Sequence, residues 1–257
     1  MKIAIIGAGM MGGAIARCLL HKNDKKYRIS VSNRTAEKLD ALKIDYPYAH
    51  TTINNREAAE DADVIIIAVK PHQVAEVLKP LRLRQPQLLV SLAAGISIEA
   101  LAHYVDPEMA IFRAIPNTAI SVGQSLTLIA HRNATSKEVE CVTDIFETGG
   151  IPWVIDEKLF PAATSLTSCG IAFLMKYVEG AMLAAIETGI PANAAMEMVA
   201  QTMKGAAQIL LDNPSTRPSI EIEKVTTPGG ITIQGVNTLE HSGFVSAVIR
   251  AVKASIA

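Results

Sequence analysis

Ile3-Ala4-Ile5-Ile6-Gly7-Ala8-Gly9-Met10-Met11-Gly12 opens the chain with four apolar residues that run straight into a G-x-G-x-x-G pattern. The apolar run has the length and composition of a strand buried on both faces. Glycine ends it, and Met10 to Leu20 then space their apolar side chains as a helix does. In that context the glycines have separate tasks. Gly7 makes the turn, Gly9 lets a pyrophosphate approach the backbone, and Gly12 lets the helix pack closely on the strand. Free N–H groups at the helix start then bind phosphate. Gly7, Ala8, Gly9, Met10, Met11 and Gly12 are therefore expected to hold a dinucleotide; the plainer alternative is a glycine turn with no ligand.

The same alternation repeats along the first half. Arg28 to Ser32, Asp63 to Val69, Leu88 to Leu92 and Ala110 to Ala114 read as further strands. Helical spacing fits Thr35 to Leu42, Gln73 to Leu78 and Ser97 to Tyr104. Thr135 to Glu138 has the Thr-x-x-Glu form of a capping box, predicting a helix to Thr148 that Gly149-Gly150 stops. Pro152 to Ile155 reads as the last strand. Repeated βα units predict an α/β fold, a Rossmann-type doubly wound parallel sheet. After Asp156 the composition turns to Ala, Met and Leu, broken only at a few Gly and Pro turns. The expected division is residues 1–155 as the nucleotide-binding domain and 156–257 as an all-helical domain. The apolar excess of the latter predicts an oligomer interface.

The end of the second strand decides between nucleotides. NAD-binding versions of this fold place Asp or Glu there for the ribose 2′-hydroxyl. Here Ser32-Asn33-Arg34-Thr35 carries no acid. Arg34 can pair with a 2′-phosphate through two N–H groups, and Ser32 or Asn33 can hydrogen-bond it. NADPH is expected, with NADH as the weaker alternative. Val69-Lys70-Pro71 ends the interior strand on the edge where cofactors bind, so Lys70 reads as a ribose or backbone contact; a solvated lysine is the competing reading. Ala93 and Ala94 end the next strand and are too small to block a nicotinamide ring. Ile115-Pro116-Asn117-Thr118 ends the one after.

Val225-Thr226-Thr227-Pro228-Gly229-Gly230-Ile231-Thr232 gathers hydroxyls, a turn and two glycines late in the chain. Such a loop offers a small carboxylate several donors at short range. A bare turn between two helices is the alternative.

At net charge -1 and without a basic run, no nucleic-acid or anionic-membrane partner is expected. Cys18, Cys141 and Cys169 are scattered and form no C-x-x-C pair, which argues for a reducing compartment and against a structural metal. Ile3 to Ile6 is too short for a signal peptide's apolar core, and Glu187, Glu197 and Lys204 interrupt the apolar stretch Ala181 to Leu211. The expectation is a cytoplasmic protein with no membrane partner.

In this order the elements resemble the Δ1-pyrroline-5-carboxylate reductase family along essentially the whole chain. The resemblance rests on Ala68-Val69-Lys70-Pro71, Ser91-Leu92-Ala93-Ala94-Gly95, Pro116-Asn117-Thr118 and above all Thr226 to Glu240. It implies a helical dimerisation domain, a homodimer that completes the active site, and in some cases rings of dimers. It further implies NADPH contacts from Gly7 to Gly12, Asn33, Arg34, Asn55, Ala68, Val69, Lys70, Pro71, Ala93, Ala94 and Asn117. Asn55 is preferred to Asn54 by its spacing before Asp63. Thr226, Thr227, Gly229, Gly230 and Thr232 would cradle the substrate's carboxylate and ring nitrogen, Thr232 as the catalytic residue. Glu157 and Thr164 fall on further family positions at the substrate. The chain departs from the pattern at Ala119 and Ile171, where prolines are usual, and at Lys224 and Ile231.

The implied reaction is hydride transfer from NADPH to the C=N carbon of Δ1-pyrroline-5-carboxylate, giving L-proline in the last step of proline biosynthesis. A protonated iminium is already electrophilic, so orientation matters more than a strong general acid. Two rivals remain. A β-hydroxyacid dehydrogenase would use Lys176, but Ala172 stands where that family has Asn. A non-catalytic NADP-binding redox sensor would bind NADPH without turning over an imine.

Overall fold

The structure is a computed structural model that describes residues 1–22 and 26–256. By its contacts the chain divides into two compact units, Met1–Ser168 and Cys169–Ala257. The change of composition after Asp156 and this change of contacts fall at different places. The reason is local: Phe160 is 2 % exposed and belongs to an apolar cluster of the first unit.

One sheet organises the first unit. Its strands are β1 (Lys2–Ile6), β2 (Arg28–Ser32), β3 (His50–Thr52), β4 (Val64–Ile67), β5 (Leu88–Ser91), β6 (Ile111–Ile115), β7 (Ser125–Arg132) and β8 (Gly150–Val154). Their order is β3-β2-β1-β4-β5-β6-β7-β8. Between them run α1 (Met10–Lys22), α2 (Glu37–Asp45), α3 (Asn55–Ala59), α4 (Val74–Leu81), α5 (Ile98–Ala102) and α6 (Ser136–Glu147). Side chains of a strand alternate between faces, and the apolar residues sort accordingly. Ile3, Ile5, Val64 and Ile66 enter one cluster, while Ala4, Ile6, Ile65 and Ile67 enter the other. Both faces are thus covered, which is why the strands read as unbroken apolar runs. The chain leaves β1 outward to β2 and β3, then returns to β4 on the other side of β1. That reversal opens a crevice at the carboxyl ends of β1 and β4, where such sheets bind ligands.

Strands β1, β2, β4, β5 and β6 pair in parallel as expected, and the unexpected β3 joins them in parallel on β2, but β6 and β7 are antiparallel, Ile111 facing Arg132. Only the short Thr118–Val122 3-10 turn joins them. A parallel crossover needs a dozen or more residues, so the chain can only reverse. The capping box forms, Thr135 Oγ1 accepting the Glu138 N–H and Glu138 Oε2 accepting the Thr135 N–H.

After the first sheet come α7 (Phe160–Thr164), a π-turn (Ser165–Cys169) and α8 (Gly170–Glu187). The second unit continues with α9 (Ala192–Asp212), α10 (Pro218–Val225), α11 (Ile231–His241) and α12 (Phe244–Ala254). Here α8 packs on α9 and α12, and α11 on α12. Among the described residues of this unit only Ala195 is buried. Leu174, Met196, Ile220, Leu239 and Phe244 are exposed, one on each of its five helices. By length and composition the helical run Glu157–Glu187 could cross a membrane. Apolar exposure spread over all five helices fits an uncovered protein interface better than a single span.

Candidate functional site

The carboxyl ends of β1, β2, β4 and β5 surround a cleft of about 620 Å³. Gly7 turns out of β1 at φ +107°, a conformation that favours glycine, and a Cβ there would lie 2.7 Å from the Ala68 carbonyl oxygen. A Cβ on Gly12 would overlap the Gly7 carbonyl and come within 2.7 Å of Ala68 Cβ. Around Gly9 there is open space, nothing standing within 4 Å of such an atom. Strand, turn and α1 are therefore packed as tightly as backbone allows, while the middle glycine faces a void that a pyrophosphate fits.

Gly7, Gly9, Met10, Met11, Asn33, Arg34, Asn55, Ala68, Val69, Lys70, Pro71, Ala93 and Ala94 all line this cleft. Four expected cofactor residues do not. Ala8 donates its N–H to Asn33 Oδ1 at 3.1 Å, and Gly12 is buried in the α1 packing. Ser32 is buried and its hydroxyl donates to Asn55 Oδ1 at 2.8 Å, so it orients Asn55. Asn117 has both ends of its amide engaged elsewhere: Oδ1 accepts the Ala119 N–H and Nδ2 donates to the Thr167 carbonyl. Asn54 caps α3 by accepting the Arg56 N–H. Thr35, Lys38 and Glu76 also line the cleft and were missed. Lys38 stands in the first turn of α2, four residues after Arg34, which lies in the bend between β2 and α2. A larger surface groove, about 1310 Å³, runs beside the residues leading into β4 and β5. It lies at the amino ends of the strands, away from the crevice.

In the second unit, Thr227 to Gly230 form a turn closed by the Gly230 N–H and the Thr227 carbonyl at 2.9 Å. Pro228 in second place and Gly229 at φ +72° in third make it type II. A Cβ on Gly230 would sit 2.7 Å from Thr227 Oγ1. Thr226 folds back instead, donating to the Ile222 carbonyl at 3.0 Å. Gly230 starts α11 without a side-chain cap, which leaves its first N–H groups open to a ligand, with Thr232 exposed beside them. Lys224 reaches back along α10 to Glu221 at 2.8 Å. That bond, with one from Thr216, holds the Glu221 carboxyl below the usual carboxylate range.

Glu157 and Thr164 lie together on the first unit's last segment. Glu157 Oε1 accepts from Arg113 Nη1 at 2.6 Å and from the Ile98 N–H at 2.9 Å. Arg113 is buried, with its guanidinium 4.8 Å from the Phe160 ring centre. The oxygen expected at a substrate thus ties β6 to α5.

Residues 157–257 match the family model described as pyrroline-5-carboxylate reductase dimerisation, and residues 2–95 one described as NADP oxidoreductase coenzyme F420-dependent. Pyrroline-5-carboxylate reductase 2 of Dictyostelium discoideum is 35% identical, over 98% of this chain and 89% of its own length. The chain spans about half the length, 48%, of that organism's pyrroline-5-carboxylate reductase 1, at 34% identity. A Coxiella burnetii pyrroline-5-carboxylate reductase structure is 30% identical with a TM-score of 0.89, covering 99% of this chain and 95% of that one. The Plasmodium falciparum pyrroline carboxylate reductase structure with NADP bound is 27% identical with a TM-score of 0.86, covering 100% and 95%.

Proposed function

We infer that this chain, which belongs to the pyrroline-5-carboxylate reductase family, reduces Δ1-pyrroline-5-carboxylate to L-proline with NADPH, a step of proline biosynthesis. The observation that carries this reading is an acid-free second-strand end, with Arg34 and Lys38 lining the crevice, in a chain that matches the family from end to end.

The roles follow from the chemistry of the groups. Gly7, Gly9 and the start of α1 offer backbone N–H groups to a pyrophosphate. Arg34 and Lys38 hold the 2′-phosphate, and Asn55, fixed by Ser32, faces the ribose. Ala93 and Ala94 leave room for the nicotinamide. Bound there, NADPH would supply the hydride that reduces the C=N carbon. The type II turn and the open N–H groups of α11 take the substrate carboxylate, with Thr227 and Gly230 shaping the turn. Thr232 hydrogen-bonds the ring nitrogen and so orients it; the proton on that nitrogen comes from water. A second copy of the chain covers the exposed helices. Unpaired thiols at Cys141 and Cys169 support a cytoplasmic setting.

NADPH oxidation with pyrroline-5-carboxylate tests the reading, and turnover is expected. NADPH binding without turnover selects the redox sensor, and turnover of a β-hydroxyacid selects the dehydrogenase. Thr232→Ala is expected to lower kcat/KM about tenfold to a hundredfold, the range of a lost hydrogen bond to a charged group. An unchanged kcat/KM would remove Thr232 from the mechanism. Arg34→Ala is expected to raise KM for NADPH by about tenfold or more while leaving that for NADH nearly unchanged. Equal losses with both nucleotides would show that Arg34 does not read the 2′-phosphate.

A further inference from the structure

We propose that Asn117 is a positioning residue for this reduction: its amide holds the π-turn Ser165–Cys169, and with it the hydroxyl of Thr164, at the carboxyl edge of the sheet. The inference rests on the reading of Thr164 as a substrate contact. Asn117 is 6% exposed and follows the end of β6. Its N–H donates to Ser125 Oγ at 3.0 Å, its Oδ1 accepts the Ala119 N–H at 3.0 Å, and its Nδ2 donates to the Thr167 carbonyl at 2.9 Å. A side chain so occupied inside the protein builds the site's wall instead of touching the nucleotide.

β6 and the residues just beyond its end grip the same segment twice. Arg113 holds Glu157, and Asn117 holds Thr167. Along β6 the two anchors are about 13 Å apart, and along a helix the two anchored positions are about 15 Å apart. The spacings agree, so the segment lies along β6 and its second anchor falls at the carboxyl edge. There the helix widens into a π-turn directly after Thr164. Single π-turns are rare and concentrate at functional sites, since the extra residue re-aims the side chains around it. Ser168 adds a second sign, a buried hydroxyl with no hydrogen-bond partner. Folding alone gives no reason to keep such a group, or to forgo a regular α-helix. The Asn117 bond is what holds the wider turn in place.

Asn117→Asp separates the parts of this device, because it keeps the acceptor for Ala119 but loses the donor for Thr167. Asn117→Asp and Asn117→Ala are both expected to lower kcat/KM for pyrroline-5-carboxylate about tenfold or more. The Kd for NADPH, read by fluorescence titration, should stay within about twofold of wild type. Amide hydrogen exchange over residues 164–168 should quicken in both variants. That readout does not need turnover, so it tests the latch even if the substrate assignment fails. A raised NADPH Kd with unchanged substrate kinetics would make Asn117 a cofactor contact and overturn the proposal. So would an Asp variant that behaves like wild type, or unchanged exchange over 164–168.

Discussion

Gly12→Ala is expected to abolish NADPH binding, raising Kd about a hundredfold or more. The added Cβ overlaps the Gly7 carbonyl and presses on Ala68, and neither neighbour can yield. One is backbone in the turn out of β1, and the other adjoins β4 between two packed faces. Overpacking of this kind costs about 1–3 kcal/mol or more, and the strain is relieved only by moving α1 away from β1. The N–H groups that meet the pyrophosphate move with α1, and a misplacement of about 1 Å can itself cost a hundredfold. Fluorescence titration with NADPH measures the loss. Gly9→Ala is the informative comparison, since its Cβ meets nothing within 4 Å. It should leave thermal stability unchanged while weakening NADPH binding, whereas Gly12→Ala should lower both. Equal melting temperatures for Gly12→Ala and wild type would show that the helix packing is looser than described.

The largest expected loss of stability comes from Glu157→Ala. Glu157 answers a guanidinium that is otherwise enclosed, with Arg113 Nε already buried and without a partner. Removing one member of a buried pair costs about 3–5 kcal/mol, mostly from the charge left behind. The Glu157 side chain is 28% exposed, so water can reach part of the gap and the lower end applies. About 3 kcal/mol lowers Tm by roughly 6–12 °C in a unit of this size. Glu157→Gln retains an acceptor for both the Ile98 N–H and Arg113 and should lose less than half as much. Thermal melts at one protein concentration decide it. A stable Ala variant with weakened substrate binding would restore Glu157 to the substrate.

The two outcomes explain what the sequence disclosed. Local chemistry was legible: the glycines of the first turn, the Thr135–Glu138 box and the missing acid after β2 each act within a few residues of where they are written. β3 and β7 were not read as strands. β3 is three residues of His50-Thr51-Thr52, and β7 takes its direction from the brevity of the loop before it, not from its own residues. The site divided in the same way. The sequence named Ser32, Asn117 and Glu157 as ligand contacts because they stand at the right positions along the chain. In the fold each is drawn to a distant partner, Asn55, Thr167 and Arg113 respectively. Such partners lie 23 to 50 residues away, beyond the reach of spacing arguments. Lys38 is the reverse case, a charge only four residues from Arg34 that the bend before α2 brings to the same cleft.

That only Ala195 is buried among the described residues of the second unit has a consequence for how the protein persists at all. If a second copy covers these helices, as proposed above, then acquiring shape and finding a mate become one event. For such a chain dilution is as much a denaturant as heat. On that proposal a newly made copy with no mate in reach would be exposed to proteolysis until it met one, and the rate of synthesis would itself set how much working protein accumulates.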